Sequence, residues 1–385
     1  HLATSAHTFP ELADQLGIMR FGHRPRVADT FCGSGQIPFE AARLGCEAYG
    51  SDLNPVAALL TWAALHIVGG GEEVVGQVKK AQREVYTAVD EQITAWRIEH
   101  NEQGWRADAY LYCVEARDPQ SGYLVPLAPS WVIGEKTKCI ARLVKNESEK
   151  RYDFRILSGV SDEDMAAAKA AGTVQENALV NPDTGDRTPI ATLRGQQGLR
   201  LWENDDLVPR PDDVFQERLY CIRYVQTYYL RWVVTDEKTN AGHWEEVTLM
   251  PGDEAPEGVK LLTRKHYVAP DHHDLEREAK VLALLRERFE EWQEKGYVPS
   301  KKIEAGYNTD QPIRERGWTY WHQLFNPRQL LTLGILSESL EKVEDKISLV
   351  ACLMGLGKSA DYNSRLSRWH SHGDNEKSEQ VFSNQ

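Results

Sequence analysis

The chain has 385 residues, 41% hydrophobic and 27% charged, and its 58 acidic against 45 basic side chains give a formal net charge of −13. That length allows two domains with cores of their own. No run approaches the ~18 apolar residues of a membrane span, no signal peptide is visible, and a generally basic surface is excluded, so any nucleic-acid surface must be local. Six scattered cysteines fit a reducing, cytoplasmic setting better than a disulfide framework. The chain begins at His1 rather than a methionine, and the expectation is a piece of a longer one.

Residues 1–25, with Phe9, Leu12, Leu16, Ile18 and Met19, predict a helix leading into the first strand. The stretch Arg26–Pro55 then reads as strand, glycine turn, short helix, second strand and helix start. Val27 and Ala28 run into Asp29, and Cys32-Gly33-Ser34-Gly35 turns the chain, its glycines permitting positive φ and close ligand approach. Pro38 sits in the first turn of the next helix, where its missing N–H costs nothing. Phe39, Ala42 and Leu44 are expected to form that helix's apolar face, with Gly45 ending it. Cys46–Gly50 predicts the second strand, Asp52 stands at its carboxyl end, and Asn54-Pro55 caps and opens the following helix.

This is one βαβ unit, whose ligand crevice lies outside the strand ends. An acid ~20 residues past the glycines holds ribose hydroxyls in such units. A dinucleotide site calls for G-x-G-x-x-G with N–H groups facing a pyrophosphate, but the third glycine position here is Pro38, and Asp29 would repel a pyrophosphate. S-adenosylmethionine (SAM), with a sulfonium, an amino group and a ribose, fits better. The candidate cofactor residues are Asp29, Cys32, Gly33, Ser34, Gly35 and Asp52, with Leu53 against the adenine. The plainer alternative is a turn whose glycines serve packing only.

The segment ADTFCGSGQIPFEAARLGCEAYGSDLNPVA resembles the first two motifs of class I SAM-dependent methyltransferases, and looks most like the adenine-specific DNA methylases that carry a zinc-ribbon insert. Residues 321–330, WHQLFNPRQL, resemble the LFxPRQL segment of that family, and residues 363–369, NSRLSRW, its NSxLxxW segment. The resemblance implies an α/β, Rossmann-like SAM-dependent methyltransferase fold, here with a partial sheet, a large β-rich insertion and flanking helices.

Residues 55–68 predict a nearly all-apolar helix buried between layers, broken by Gly69-Gly70-Gly71. Residues 72–99 predict a long amphipathic helix with Val75, Val78, Val85, Val89, Ile93 and Trp96 on one stripe. From 105 to 270 the pattern turns to short strands at 110–115, 123–133, 139–144, 151–157, 199–203, 219–235, 244–250 and 259–267. The expected division is therefore 1–104, the first part of a SAM-binding domain; 105–270, a degenerate zinc-ribbon-like insertion; and 271–385, a helical return to the first domain. The related methylases carry two cysteine pairs in the insert. Here Cys113 stands alone at the first place, and Asn181–Gly185 has no cysteine at the second. Zinc takes four ligands, so no bound metal is expected, with Cys139, Cys221, His272 and His273 as the remaining candidates.

Residues 272–295 predict a highly charged helix, mainly a solvated face. Helices are also expected from Pro327 to about Val343 and from Ile347 to Leu356. Gly355-Leu356-Gly357-Lys358-Ser359 is a false match to a phosphate-binding loop, since Cys352 occupies the first glycine position. Arg314, Arg316, Trp318 and Arg328, with Arg368 further on, interleave cations and aromatics in a way that suits phosphate contacts and base stacking as well as plain packing.

Amino-methyltransferases use a [D/N]-P-P-[Y/F] segment whose polar groups accept from the target amine while its ring stacks on the flipped base. The chain contains no Pro-Pro pair, and in the family that segment follows NSxLxxW. The expectation is that this chain carries the cofactor half and the insert, with the catalytic half elsewhere. Three functions remain open: a DNA adenine-N6 methyltransferase, a methyltransferase of RNA or another amine, and a non-catalytic SAM-fold subunit of a restriction or phage-defence complex. The expected partners are DNA, and a missing C-terminal half or a defence-complex protein; no membrane is expected.

Overall fold

The computed structural model describes residues 4–196, 198–236, 241–307, 309–372 and 376–381. The protein is mixed α/β and divides into two compact units, His1–Val89 with Leu336–Lys358, and Asp90–Ile335 with Ser359–Gln385. The division falls inside a long helix rather than after residue 104, and residues 271–335 belong with the β-rich part.

The first unit opens with α1 (Phe9–Phe21), set by a reciprocal Thr8–Glu11 capping box and ended at Gly22 in the left-handed region. Strand β1 (Arg26–Asp29), helix α2 (Gln36–Arg43) and strand β2 (Glu47–Gly50) follow. The two strands pair in parallel with Val27 opposite Ala48 and Asp29 opposite Gly50, as a two-stranded sheet. Helix α2 buries Pro38 and Ala41. Ala42 and Leu44, expected on its inner face, are exposed, because the turn at Gly35 rotates the helix so that the Pro38–Ala41 side faces inward.

Helix α3 (Pro55–Ala63) begins where Asn54 Oδ1 accepts from the Val56 N–H at 3.0 Å. It continues as a π-helical turn, Ala64–Val68. Its expected burial does not occur: Val56 and Val68 are about 60% exposed. The helix meets its neighbours through small residues, Ala57, Thr61 and Ala63, and a two-stranded sheet offers no second layer for its larger ones. Helix α4 (Gly71–Trp96) follows the glycine break. Val85 packs in a cluster with Leu340 and Cys352.

The second unit is built on an eight-stranded sheet. Its strands are β3 (Arg106–Arg117), β4 (Leu124–Leu127), β5 (Val132–Gly134), β6 (Cys139–Asn146), β7 (Arg151–Leu157), and, after an intervening stretch, three more. That stretch holds α5 (Asp162–Ala170), a small sheet of β8 (Val174–Gln175), β9 (Ala178–Val180) and β10 (Arg187–Pro189), and α6 (Ile190–Gln196). The remaining large-sheet strands are β11 (Phe215–Asp236), β12 (Ala241–Thr248) and β13 (Leu262–Val268). Pairing is antiparallel except for a single β4–β7 contact. The expected strand at 199–203 is a loop that bonds elsewhere, with the Trp202 N–H donating to the Gly317 carbonyl at 2.8 Å.

Helix α7 (His272–Lys295) is solvated on one side only. Its other side buries Val281, Leu285, Phe289 and Trp292. A short helix α8 (Gln311–Arg316), helix α9 (Pro327–Ser339) and helix α10 (Lys346–Tyr362) complete the chain's main elements. The Gly355–Ser359 sequence lies inside α10, so it forms no loop. Among the described residues no helix is long and apolar enough to cross a membrane.

Candidate functional site

The glycine turn between β1 and α2 brings the sequence-predicted cofactor residues together. Gly33 and Gly35 have φ of +51° and +82°, a conformation side chains resist. A Cβ at Gly35 would lie 2.8 Å from the Thr61 backbone, whereas over Gly33 there is open space. Thr61 ties α3 to the turn, its hydroxyl reaching Cys32 Sγ at 3.2 Å and the Gly33 carbonyl at 3.3 Å. Cys32 is buried as part of this packing and Ser34 is exposed. Asp29 Oδ1 accepts from the Phe31 N–H at 3.1 Å.

Asp52 reaches back over the turn from the end of β2. Its two oxygens accept from the Asn54 and Gly33 N–H groups, both at 2.9 Å. Those backbone bonds, Asn54 first, hold its carboxyl below the usual carboxylate range. A carboxylate carries about four acceptor positions, so two remain for a ligand's hydroxyls. Leu53 beside it is 91% exposed, an apolar surface next to a charged acceptor. The arrangement suits a ligand with vicinal hydroxyls, a cationic end and a flat apolar ring.

The nucleic-acid candidates separate. Arg328 is buried: its guanidinium bonds Glu278 at 2.8 Å and the Ile98 carbonyl at 3.2 Å, and it lies 3.9 Å over the Tyr110 ring. Its charge is spent inside the fold, which corrects its assignment as a phosphate contact. Arg314 is exposed, 3.9 Å from Asp310. Arg316, Trp318 and Arg368 share the wall of a cavity of about 490 Å³ in the second unit.

The two resembling segments meet at this cavity through Arg365. It donates to the Gln323 and Phe325 carbonyls at 2.9 and 2.7 Å and to Glu217 at 3.1 Å. His322 and Gln323 are interior scaffolding; burial pushes His322 down to about 4, and Gln323 binds the Glu203 carbonyl at 2.6 Å. Sequence reasoning missed the cavity's other walls, such as Phe215, Arg223 and Lys377. They come from segments far apart in the chain, and no local pattern marks them.

Among the described residues no group of three His, Cys, Asp or Glu side chains converges as a metal set. Cys113, Cys139 and Cys221 lie within the sheet. Burial pushes the Cys139 thiol up to about 11 and the other two well above their usual value, whereas zinc binds the thiolate. His272 and His273 stand apart at the exposed start of α7.

No protein family, curated protein or solved structure matches the chain.

Proposed function

We propose that this chain is the cofactor-binding part of a SAM-dependent methyltransferase acting on DNA, with the exocyclic N6 amine of a flipped adenine as acceptor. The observation that carries the reading is the Asp52 carboxylate, anchored by the Gly33 and Asn54 N–H groups and leaving acceptor positions over an open glycine turn. In this reading Asp52 accepts the two ribose hydroxyls and Leu53 lies against the adenine. Asp29 faces the cationic end, and Cys32, Gly33, Ser34 and Gly35 shape the floor. The bound cofactor supplies an activated methyl group on a sulfonium. The protein's contribution is to fix that group's position and exclude water, which accounts for most of the rate in such transfers.

The choice of DNA adenine rests on the resemblance of residues 321–330 and 363–369 to the adenine-specific DNA methylases, with Arg368 inside the second segment and Arg316 and Trp318 just before the first. A reducing, cytoplasmic setting accords with six cysteines that are all free thiols. The absence of a Pro-Pro pair favours a second reading, a SAM-fold subunit of a restriction or phage-defence assembly. Incubating the full gene product, rather than these residues alone, with methyl-labelled SAM and unmethylated DNA, then digesting to nucleosides, tests the choice. Label in N6-methyladenine is the expected result. Label transferred to tRNA but not DNA would move the acceptor to RNA, and no transfer to either would leave the subunit reading.

A further inference from the structure

The cavity in the second unit has a charge that the rest of the protein does not. The chain carries −13 overall, yet six cationic side chains line this space against three carboxylates. All three carboxylates are engaged: Asp108 with Arg223 at 2.6 Å, Asp213 with Arg200 at 2.7 Å and Glu217 with Arg365 at 3.1 Å. The other three cations, Arg316, Arg368 and Lys377, make no hydrogen bond or ion pair among the described residues. Arg316 sits over the Phe215 ring at 5.0 Å. Burial, with Arg194 nearby, lowers its pKa from the usual guanidinium value. Glu315 and Glu217 also act on Arg316 but are themselves paired with Arg194 and Arg365; a partly desolvated cation without a contact partner is costly, and an anion entering the cavity offsets that cost.

The neutral groups point the same way. Asn326 and Gln329 line the cavity and bond each other's backbone N–H through their carbonyl oxygens, both at 2.9 Å. Their amide NH2 groups are left as donors. The walls include Trp318 and Trp369, and the Trp369 indole is fixed by donating to the Ile133 carbonyl at 2.8 Å. Spare donors, unneutralised cations and fixed rings select a ligand rich in acceptor oxygens that also carries a flat ring. The volume lies at the lower end of small-ligand pockets, which run from about 300 to 1,000 Å³.

We propose that this cavity binds a nucleoside monophosphate unit, with the phosphate at Arg316, Arg368 and Lys377 and the base between the aromatic walls. The site stands independently of the cofactor reading, since every residue lining it belongs to the second unit. The unit can be a free nucleotide or one residue of a single strand, and the same chemistry serves both.

Isothermal titration of the full chain at low salt with AMP, a short deoxyadenosine oligonucleotide and inorganic phosphate tests it. At least one of the first two is expected to bind, at least tenfold more tightly than phosphate. AMP matching the oligonucleotide identifies a free-nucleotide site, and a much tighter oligonucleotide identifies a strand site. Arg316→Gln is expected to weaken binding about tenfold or more. If that variant melts early, Arg368→Gln and Lys377→Gln at the exposed rim carry the test, with weaker binding and a steeper salt dependence expected. The proposal fails if neither nucleotide probe binds, if phosphate binds as tightly as they do, or if the folded variants bind like the parent.

Discussion

Arg328 shows how much an arginine's meaning depends on a partner the sequence does not indicate. Beside Trp321 and Pro327 it reads equally as a phosphate contact or a packed side chain. Its partner Glu278 lies 50 residues earlier, on a different helix, so no local spacing links them. Removing one member of a buried pair leaves the other charged and unpaired, which costs about 3–5 kcal/mol. Arg328→Ala is therefore expected to lose stability on that order in urea denaturation, and a midpoint within error of the parent would contradict the buried role. Asp52 was legible because its signals are local. The glycines, the proline and the acid fall within 30 residues, and each constrains the backbone in a known way. The cavity's cations were half legible. Arg316, Trp318 and Arg368 stand out by composition, whereas Lys377, Arg223 and Phe215 join them only through the fold.

Elements with strong end signals formed where the sequence placed them, and those that depend on distant packing did not. The Asn54 cap is local and is realised, and Gly45 follows the end of α2 in the left-handed region, as its sequence position implies. Helix α3 reads as buried from composition alone, but burial needs a second layer, and Val56 in it and Val68 in the π-helical turn that follows are exposed. Helix α5 was missed although Ser161 caps it through the Asp164 N–H at 3.1 Å, because Ala-rich segments carry little apolar periodicity. Close helix packing is equally invisible in sequence. Within α9, a Cβ on Gly334 would lie 2.1 Å from the Trp292 ring of α7. Glycine to alanine inside a helix ordinarily stabilises by about 1 kcal/mol. Here overpacking is expected to reverse the sign, with Gly334→Ala losing roughly 1–3 kcal/mol. A thermal midpoint equal to or above the parent's would show that the two helices do not approach this closely.

For the molecule as a whole, the two units carry separate chemistries. The first holds a glycine turn with two carboxylates and a parallel strand pair; the second holds an antiparallel sheet with a cationic cavity. The acidic net charge gave no warning of that cavity, since a whole-chain sum averages a local excess of cations away. As proposed, ligand binding by the first unit turns on one carboxylate. Asp52 is held ionised by the Asn54 and Gly33 N–H groups. A carboxyl with a depressed pKa keeps its charge at neutral pH and loses it only as pH falls through the depressed value. The Asp52 contribution to SAM affinity is thus expected to persist through mildly acidic pH and to be lost only as pH falls below the ordinary carboxylate range. The most direct measurement is calorimetric titration of SAM into the chain and into Asp52→Ala at neutral pH. Binding by the parent and at least tenfold weaker binding by the variant is the expected result. Equal affinity in the two, or no binding by a folded parent, would contradict it.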